Sequence, residues 1–313
     1  MLQLSKITLT LEFTTPAVLP YWMGSAFRGG FGQNLRKAIC PNSTRECYTC
    51  NTKDTCLFYY THIKTVSQRG YAPPFRPIIL IPPFFGKSMR IEEKAWLAID
   101  VLFFGDFTKY LPHVILGMSF LGRKGLYSQR YEGLNRFVIK EIKCSLSEKT
   151  VYDGETIFLK NLTLKDVKDV HPLRTDRIKI GFKTPYTGKD FPPQPSDLLN
   201  GIRNRLIRFT NEYGSGENIP EIEVFGTIDT FTKHYHRLER RSTRSDKRVF
   251  DSYTGVVDYS FDELNQVSAW ILGTGFIVGC GPDSSFGCGF LSNFSIPRTE
   301  KAQSRNIQDC RDT

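Results

Sequence analysis

Twice along this chain a run with apolar residues at every second position gives way, after prolines, to a run with apolar residues every three or four positions. That order restricts the fold more than any other feature. In the first instance Ile7, Leu9, Leu11 and Phe13 keep the period of a half-buried strand, and Pro16 and Pro20 end it. Met23, Phe27, Phe31, Leu35 and Ile39 then mark one stripe of a helix. Gly24, Gly29, Gly30 and Gly32 weaken that helix, and would be tolerated if something must approach its surface or if its first half is a loop. In the second instance Ile178, Ile180 and Phe182 alternate up to Pro185. A Pro192-Pro193-Pro195 linker follows, with Ser196 or Asp197 expected as the helix cap. Leu199, Ile202, Leu206, Phe209 and Tyr213 mark the next apolar face, with Arg203, Arg205 and Arg208 expected elsewhere on the helix surface.

Further strands are expected at Ile78–Ile81, Phe137–Ile142, Ile222–Phe231, Gly255–Tyr259 and Phe286–Ile296. Helical tracts are expected at Glu92–Leu121 and Phe261–Ile271. The order in each half suits β-α-β-β-α-β, so the expected class is α+β, with two ferredoxin-like (RRM-like) domains side by side. The expected division is 1–150 for the first domain, 151–296 for the second, and 297–313 for a polar tail.

The charge balance names a class of partner. Lys and Arg total 42 against 32 Asp and Glu, a net charge of +10 over 313 residues, which favours a polyanion. The start shows no charged segment leading into an apolar one, and no long apolar span follows. A cytoplasmic protein with no membrane partner is therefore the expectation.

Near the C-terminus stand two Gly-Cys-Gly triplets, Gly279-Cys280-Gly281 and Gly287-Cys288-Gly289, separated by Pro282–Phe286. Glycines let the backbone adopt positive φ and approach a ligand, and successive free amides can form an anion nest. In a basic chain such a loop points to a nucleic-acid backbone. A second candidate is the segment from Lys233 to Arg248, with seven Lys or Arg against two acids and with His234, Tyr235 and His236. Basic and aromatic residues mixed in this way suit a hairpin that grips phosphates and stacks a base.

Four of the eight cysteines, Cys40, Cys47, Cys50 and Cys56, fall close together, the middle pair as a CxxC. Four thiolates satisfy tetrahedral zinc and leave no open position, so a structural, non-catalytic ion in a small insertion at about 40–56 is expected, with an iron–sulfur cluster or redox thiols as the alternatives.

Taken together, Phe27-Arg28-Gly29-Gly30-Phe31-Gly32, the four cysteines, Leu121–Gly125, Lys183-Thr184-Pro185, Arg240–Arg244 and the paired glycine triplets resemble the RAMP superfamily of CRISPR proteins. Within it they resemble the repeat-cleaving Cas-six branch. The spacer Pro282–Phe286 lacks the Lys or Arg usual in that family's loop. The resemblance implies cutting of CRISPR repeats in precursor RNA without catalytic metal. The RNA's own 2′-hydroxyl attacks the adjacent phosphate and leaves a 2′,3′-cyclic phosphate and a 5′-hydroxyl. Its partners would be repeat RNA, the processed crRNA and other CRISPR effector subunits. Family members place a histidine after the first helix with a tyrosine and a lysine nearby. Here His62 would be general acid or base, Lys64 would meet the phosphorane charge, and Tyr60 would position the 2′-hydroxyl. RNA binding would fall to Arg28, His234, His236, Arg237, Arg240, Arg241, Arg244, Lys247 and Arg248, with Gly279, Gly281, Gly287 and Gly289 in the loop. His234 or His236 is the rival catalytic group. A non-cutting RNA-binding subunit on the same scaffold is the alternative. A zinc-containing DNA-binding protein is a third reading, with no clear recognition helix in its favour.

Overall fold

The computed structural model describes residues 2–41, 46–66, 74–240 and 248–294. The first half runs β1 (Gln3–Phe13), β2 (Ala17–Leu19), α1 (Gly24–Ile39), β3 (Ile78–Ile81), β4 (Met89–Ile91), β5 (Trp96–Phe104), α2 (Leu111–Lys124), β6 (Phe137–Cys144), β7 (Thr150–Tyr152) and β8 (Lys165–Asp166). Its antiparallel sheet has the order β3-β5-β1-β6-β7, and β8 pairs with β1. The second half runs β9 (Arg177–Tyr186), α3 (Pro195–Tyr213), β10 (Gly226–Phe231), β11 (His234–Arg240), β12 (Arg248–Phe261), α4 (Gln266–Val278) and β13 (Leu291–Asn293). The order of its sheet is β10-β12-β9-β13, and β11 pairs with β12 as an added hairpin. In each half the first strand is central, β1 between β5 and β6 and β9 between β12 and β13, the arrangement of a ferredoxin-like unit.

The two helices named by their stripes form much as expected. Met23, Phe27, Phe31 and Leu35 are buried on α1, and Leu199, Ile202, Leu206 and Phe209 on α3. Gln194 rather than Ser196 or Asp197 occupies the N-cap of α3, with Pro195 in its first turn. Proline fits there because its missing N–H has no acceptor in the first turn anyway.

Four expectations need correction. The tract Glu92–Leu121 is not one helix: it holds strand β5 before α2 begins at Leu111. Leu97, Ile99, Val101 and Phe103 face the first-half core, whereas Leu102 and Phe104 face the second half. Exposure alternates over 96–101, and burial on both sides erases the alternation only from Val101 to Phe104. The helix expected at Phe261–Ile271 starts instead at Gln266, where the Asn265 side chain accepts from Ser268 N at 2.9 Å. Among the described residues the last strand is Leu291–Asn293 and starts late, because the glycine loop extends to Phe290; the expected end of that strand and the tail 297–313 lie outside the described residues. The first domain also runs past 150, since β7 and β8 pair into its sheet and β9 begins the second at Arg177.

The halves share buried surface. Leu2, Leu4, Ile79, Ile81, Leu102 and Phe104 from the first sheet join the second-half core, where Phe104 stacks on Phe209 of α3 at 3.8 Å between centroids. A smaller cluster of Trp22, Leu238, Phe250, Phe286 and Cys288 closes the seam between the halves.

Candidate nucleic-acid interface

The seam cluster is where charged groups from distant parts of the chain meet. Trp22 lies between β2 and α1, Phe250 on β12, and Phe286 in the glycine loop. Their ring centroids are 6.2–6.3 Å apart, in edge or tilted contact. The β11–β12 hairpin sets the outer wall, with Leu238 opposite Phe250, Arg240 opposite Arg248 and His236 opposite Ser252. Alternation along β11 turns His236, Leu238 and Arg240 toward the cluster and leaves Tyr235, Arg237 and Glu239 exposed. The hydroxyl of Tyr21 donates to Arg237 O at 2.7 Å and pins the hairpin to the first half.

Two guanidinium groups share the Phe286 ring. Arg28 of α1 lies 4.5 Å from its centroid and Arg240 of β11 lies 4.7 Å from it. Burial, then the like charges of Arg76 and Arg240, push the Arg28 guanidinium down to about 9, with Asp283 opposing. Burial and Arg248 lower Arg240 as well, again opposed by Asp283. Cations converging on one aromatic ring repel one another, and an arriving phosphate would relieve that repulsion. Arg248 extends the same face over Phe250 at 4.8 Å.

The other hairpin residues divide. His236 is half-buried against Phe84, with its Nε2 2.7 Å from Thr254 Oγ1. Burial, then His234, holds its pKa below the ordinary histidine value. His234 is exposed and lines a cavity of about 310 Å³ with Lys183, Thr232 and Phe294. Arg237 is exposed on the outer face of the hairpin. Arg241, Arg244 and Lys247 lie outside the described residues.

The glycine loop is built differently from the anion nest expected of it. Gly279, Gly281, Gly287 and Gly289 all have φ near +73°. Five of the loop's amides donate inward: Gly279 N to Gly275 O, Cys280 N to Gly289 O, Phe286 N to Asp283 O, Gly287 N to Ser284 O, and Gly289 N to Pro185 O. The loop wraps a side chain of its own protein. Arg205 of α3, expected on the helix surface, is only 1% exposed. It donates to Gly281 O and Val278 O at 2.7 Å, Cys288 O at 2.9 Å and Pro282 O at 3.3 Å. A Cβ on Gly279 would come within 2.5 Å of its Nη1, and one on Gly289 within 3.0 Å of its Nη2. These glycines make room for a guanidinium. The loop's contribution to the seam is the Phe286 ring, itself only 6% exposed, with the charge of Asp283 acting on Arg28 and Arg240.

His62, Lys64 and Tyr60 share one turn but not one open site. The His62 ring stacks on Phe58, with its Nδ1 2.7 Å from Thr61 Oγ1 and its Nε2 3.0 Å from Arg28 O. Gly32 exists for this ring, because a Cβ there would lie 2.2 Å from Nε2. Lys64 Nζ donates to Glu212 Oε1 of α3 at 2.5 Å. The hydroxyl of Tyr60 donates to Asp54 O at 3.2 Å, and burial raises its pKa. Arg76 ties the turn down from behind, donating to Tyr60 O and Lys64 O.

The cysteines frame this turn. Cys40 caps α1, Cys47 opens a short 3-10 turn closed by Cys50 N, and Cys56 ends the next. The donor chemistry suits zinc, but among the described residues no three His, Cys, Asp or Glu side chains are disposed to hold a metal ion.

Tandem ferredoxin-like halves closed by a basic, aromatic seam define a protein with the Cas6 fold. The chain is similar to a solved Cas6 product complex (TM-score 0.53, 13% identity, covering 93% of this chain and 99% of that one). It is similar to Thermus thermophilus Cas6 (TM-score 0.53, 12% identity, 94% and 99% covered). A partial Cas6-RT-Cas1–Cas2 complex matches with a TM-score of 0.54 and 12% identity, over 98% of this chain and 48% of that one. In sequence, the AF_1859_N N-terminal domain profile matches residues 2–167 and the AF_1859_C C-terminal domain profile matches 178–293. An uncharacterized protein of Archaeoglobus fulgidus is 37% identical over 291 residues, 93% of this chain and 97% of that protein. The chain belongs to this AF_1859 family. Among the described residues no helix is long and apolar enough to cross a membrane.

Proposed function

We propose that this protein binds CRISPR repeat RNA across the seam between its halves and cuts it without a catalytic metal. The observation that carries the binding is the convergence of Arg28 and Arg240 on Phe286. Cationic groups set on an aromatic ring can take a phosphate while a neighbouring base stacks. A solved neighbour with this fold is a Cas6 product complex, and the resemblance of the sequence motifs to repeat-cleaving proteins supplies RNA as the polyanion. In the cut, the 2′-hydroxyl attacks the adjacent phosphate, its proton goes to a base, and the leaving 5′-oxygen takes a proton from an acid. His62 is the acid–base candidate for this step. It sits directly behind Arg28, at 3.0 Å from that residue's carbonyl.

One observation favours a second reading, RNA holding without cutting. Both His62 ring nitrogens have internal partners and the Lys64 ammonium is paired with Glu212. A single assay separates the two. Purified protein, checked by elemental analysis and circular dichroism to keep any bound zinc and its fold in the chelator, is incubated with a matching repeat RNA in EDTA, beside His62→Ala. Cleavage to a 2′,3′-cyclic phosphate end is expected of the wild type, lost in the variant with binding retained. Cutting that survives the substitution moves the chemistry to His234 or His236. Tight binding with no cutting by the wild type selects the holding reading, and no binding at all removes both.

The same proposal gives the thiols of Cys40, Cys47, Cys50 and Cys56 to one structural zinc, which would draw them together and fasten the excursion that carries His62. Elemental analysis of purified protein should find about one zinc per chain, and Cys47→Ser with Cys50→Ser should remove it. Metal-free wild type with an unchanged melting temperature would defeat this assignment.

A further inference from the structure

Arg205 has no role in any step above, yet it is among the largest fully buried side chains of the protein. A buried guanidinium is costly unless its donors are satisfied. Here the partners are four backbone carbonyls rather than a carboxylate, and all four belong to one stretch, Val278 to Cys288. The carbonyls of Val278 and Gly281 precede the spacer, that of Pro282 opens it and that of Cys288 follows it, so one planar fork ties its two ends together. The two glycine triplets close around that fork, as the Cβ positions at Gly279 and Gly289 show. The spacer held between them carries Phe286, whose ring holds Arg28 and Arg240, and Asp283, whose charge opposes the lowering of both.

We infer that Arg205 is a positioning residue for the RNA-binding seam: it ties the two glycine triplets together and so fixes Phe286 between α1 and the β11–β12 hairpin. The inference rests on the seam being the RNA face. The loop then serves RNA through the order of a side chain, and its internal ligand is a guanidinium supplied by the chain itself. Lysine keeps the charge but offers a single nitrogen, which cannot reach carbonyls on both sides of the spacer as a planar fork does.

The test compares wild type, Arg205→Lys, Phe286→Leu and the double variant as full-length protein. One readout needs no RNA. Cys280 and Cys288 are each 1% exposed inside the loop, so their alkylation rate, followed by mass spectrometry, reports loop order. Arg205→Lys should speed that alkylation at least about tenfold while far-UV circular dichroism stays unchanged, since about that factor follows from losing one or two charge-assisted hydrogen bonds. Repeat-RNA affinity should fall by a similar factor. The slope of log affinity against log salt should stay at the wild-type value, because Arg205 releases no counterion. The double variant should bind no worse than the weaker single variant. Unchanged alkylation, unchanged affinity with faster alkylation, additive losses, or a reduced salt slope would each overturn the inference. Wild type that binds no repeat RNA would sink the RNA reading, while the alkylation rates still decide whether Arg205 holds the loop.

Discussion

Replacing Arg28 or Arg240 with alanine is expected to weaken repeat-RNA binding by about 10- to 100-fold each, the range of one charge-assisted hydrogen bond. The loss should carry an electrostatic signature: the slope of log affinity against log salt should shrink by about 0.7 for a single-stranded contact and about 0.9 for a duplex one. Folding should not suffer in proportion. Both guanidinium groups are held below their ordinary pKa by burial and by neighbouring cations, so removing either one relieves repulsion. Arg237→Ala is the control, because that side chain is exposed on the opposite face of the same strand. Its removal should cost only the small, uniform effect of one distant charge. Equal losses for Arg237 and Arg240 would mean that RNA is held by diffuse charge rather than at the seam. Arg28→Ala with unchanged affinity and slope would remove α1 from the interface.

Much of the fold was legible because its periodicities survive in the sequence. The stripes of α1 and α3 and the alternation of β1 and β9 each bury one face, and a buried face writes itself into the residue pattern. β5 was not legible, because the docking of the two halves buries Leu102 and Phe104 on the side that would otherwise be polar. Arg205 was hidden in plain view. It stands three residues after Ile202 and four before Phe209, on the apolar stripe of α3. A charge on that stripe was a signal of a buried partner, and the glycine triplets were the partner's other half. The seam itself was only half visible. Arg28 and Arg240 belong to recognisable basic segments, but Trp22, Phe250 and Phe286 come from three separate elements that only the tertiary fold brings together. The turn carrying His62 shows the reverse case. Its residue types suggest acid–base chemistry, yet their polar atoms are bonded to four internal partners, Thr61, Arg28, Glu212 and Asp54.

That turn supports the second large effect. Lys64 and Glu212 form an ion pair between the first half and α3, with side chains 12% and 3% exposed. Removing one partner of a buried pair costs about 3–5 kcal/mol, and the charge of Arg76, which also acts on Glu212, should hold the loss toward the lower end of that range. Lys64→Ala should therefore lower stability by roughly that amount, read as a fall of about 6–20 °C in melting temperature for a unit of 150–250 residues. Replacing both partners, as Lys64→Met with Glu212→Leu, should recover most of the loss, because apolar residues of similar volume often match a buried pair. A lysine reserved for the phosphorane behaves otherwise. Its removal would abolish cutting with little change in melting temperature, and Glu212→Leu would bring no rescue. The paired result would make Lys64 a clamp that holds the His62 turn against α3, so that any loss of cutting in Lys64→Ala should return with the double replacement. If stability recovers in the double variant and cutting does not, Lys64 serves both the fold and the reaction, and the ion pair with Glu212 must open for RNA to be cut.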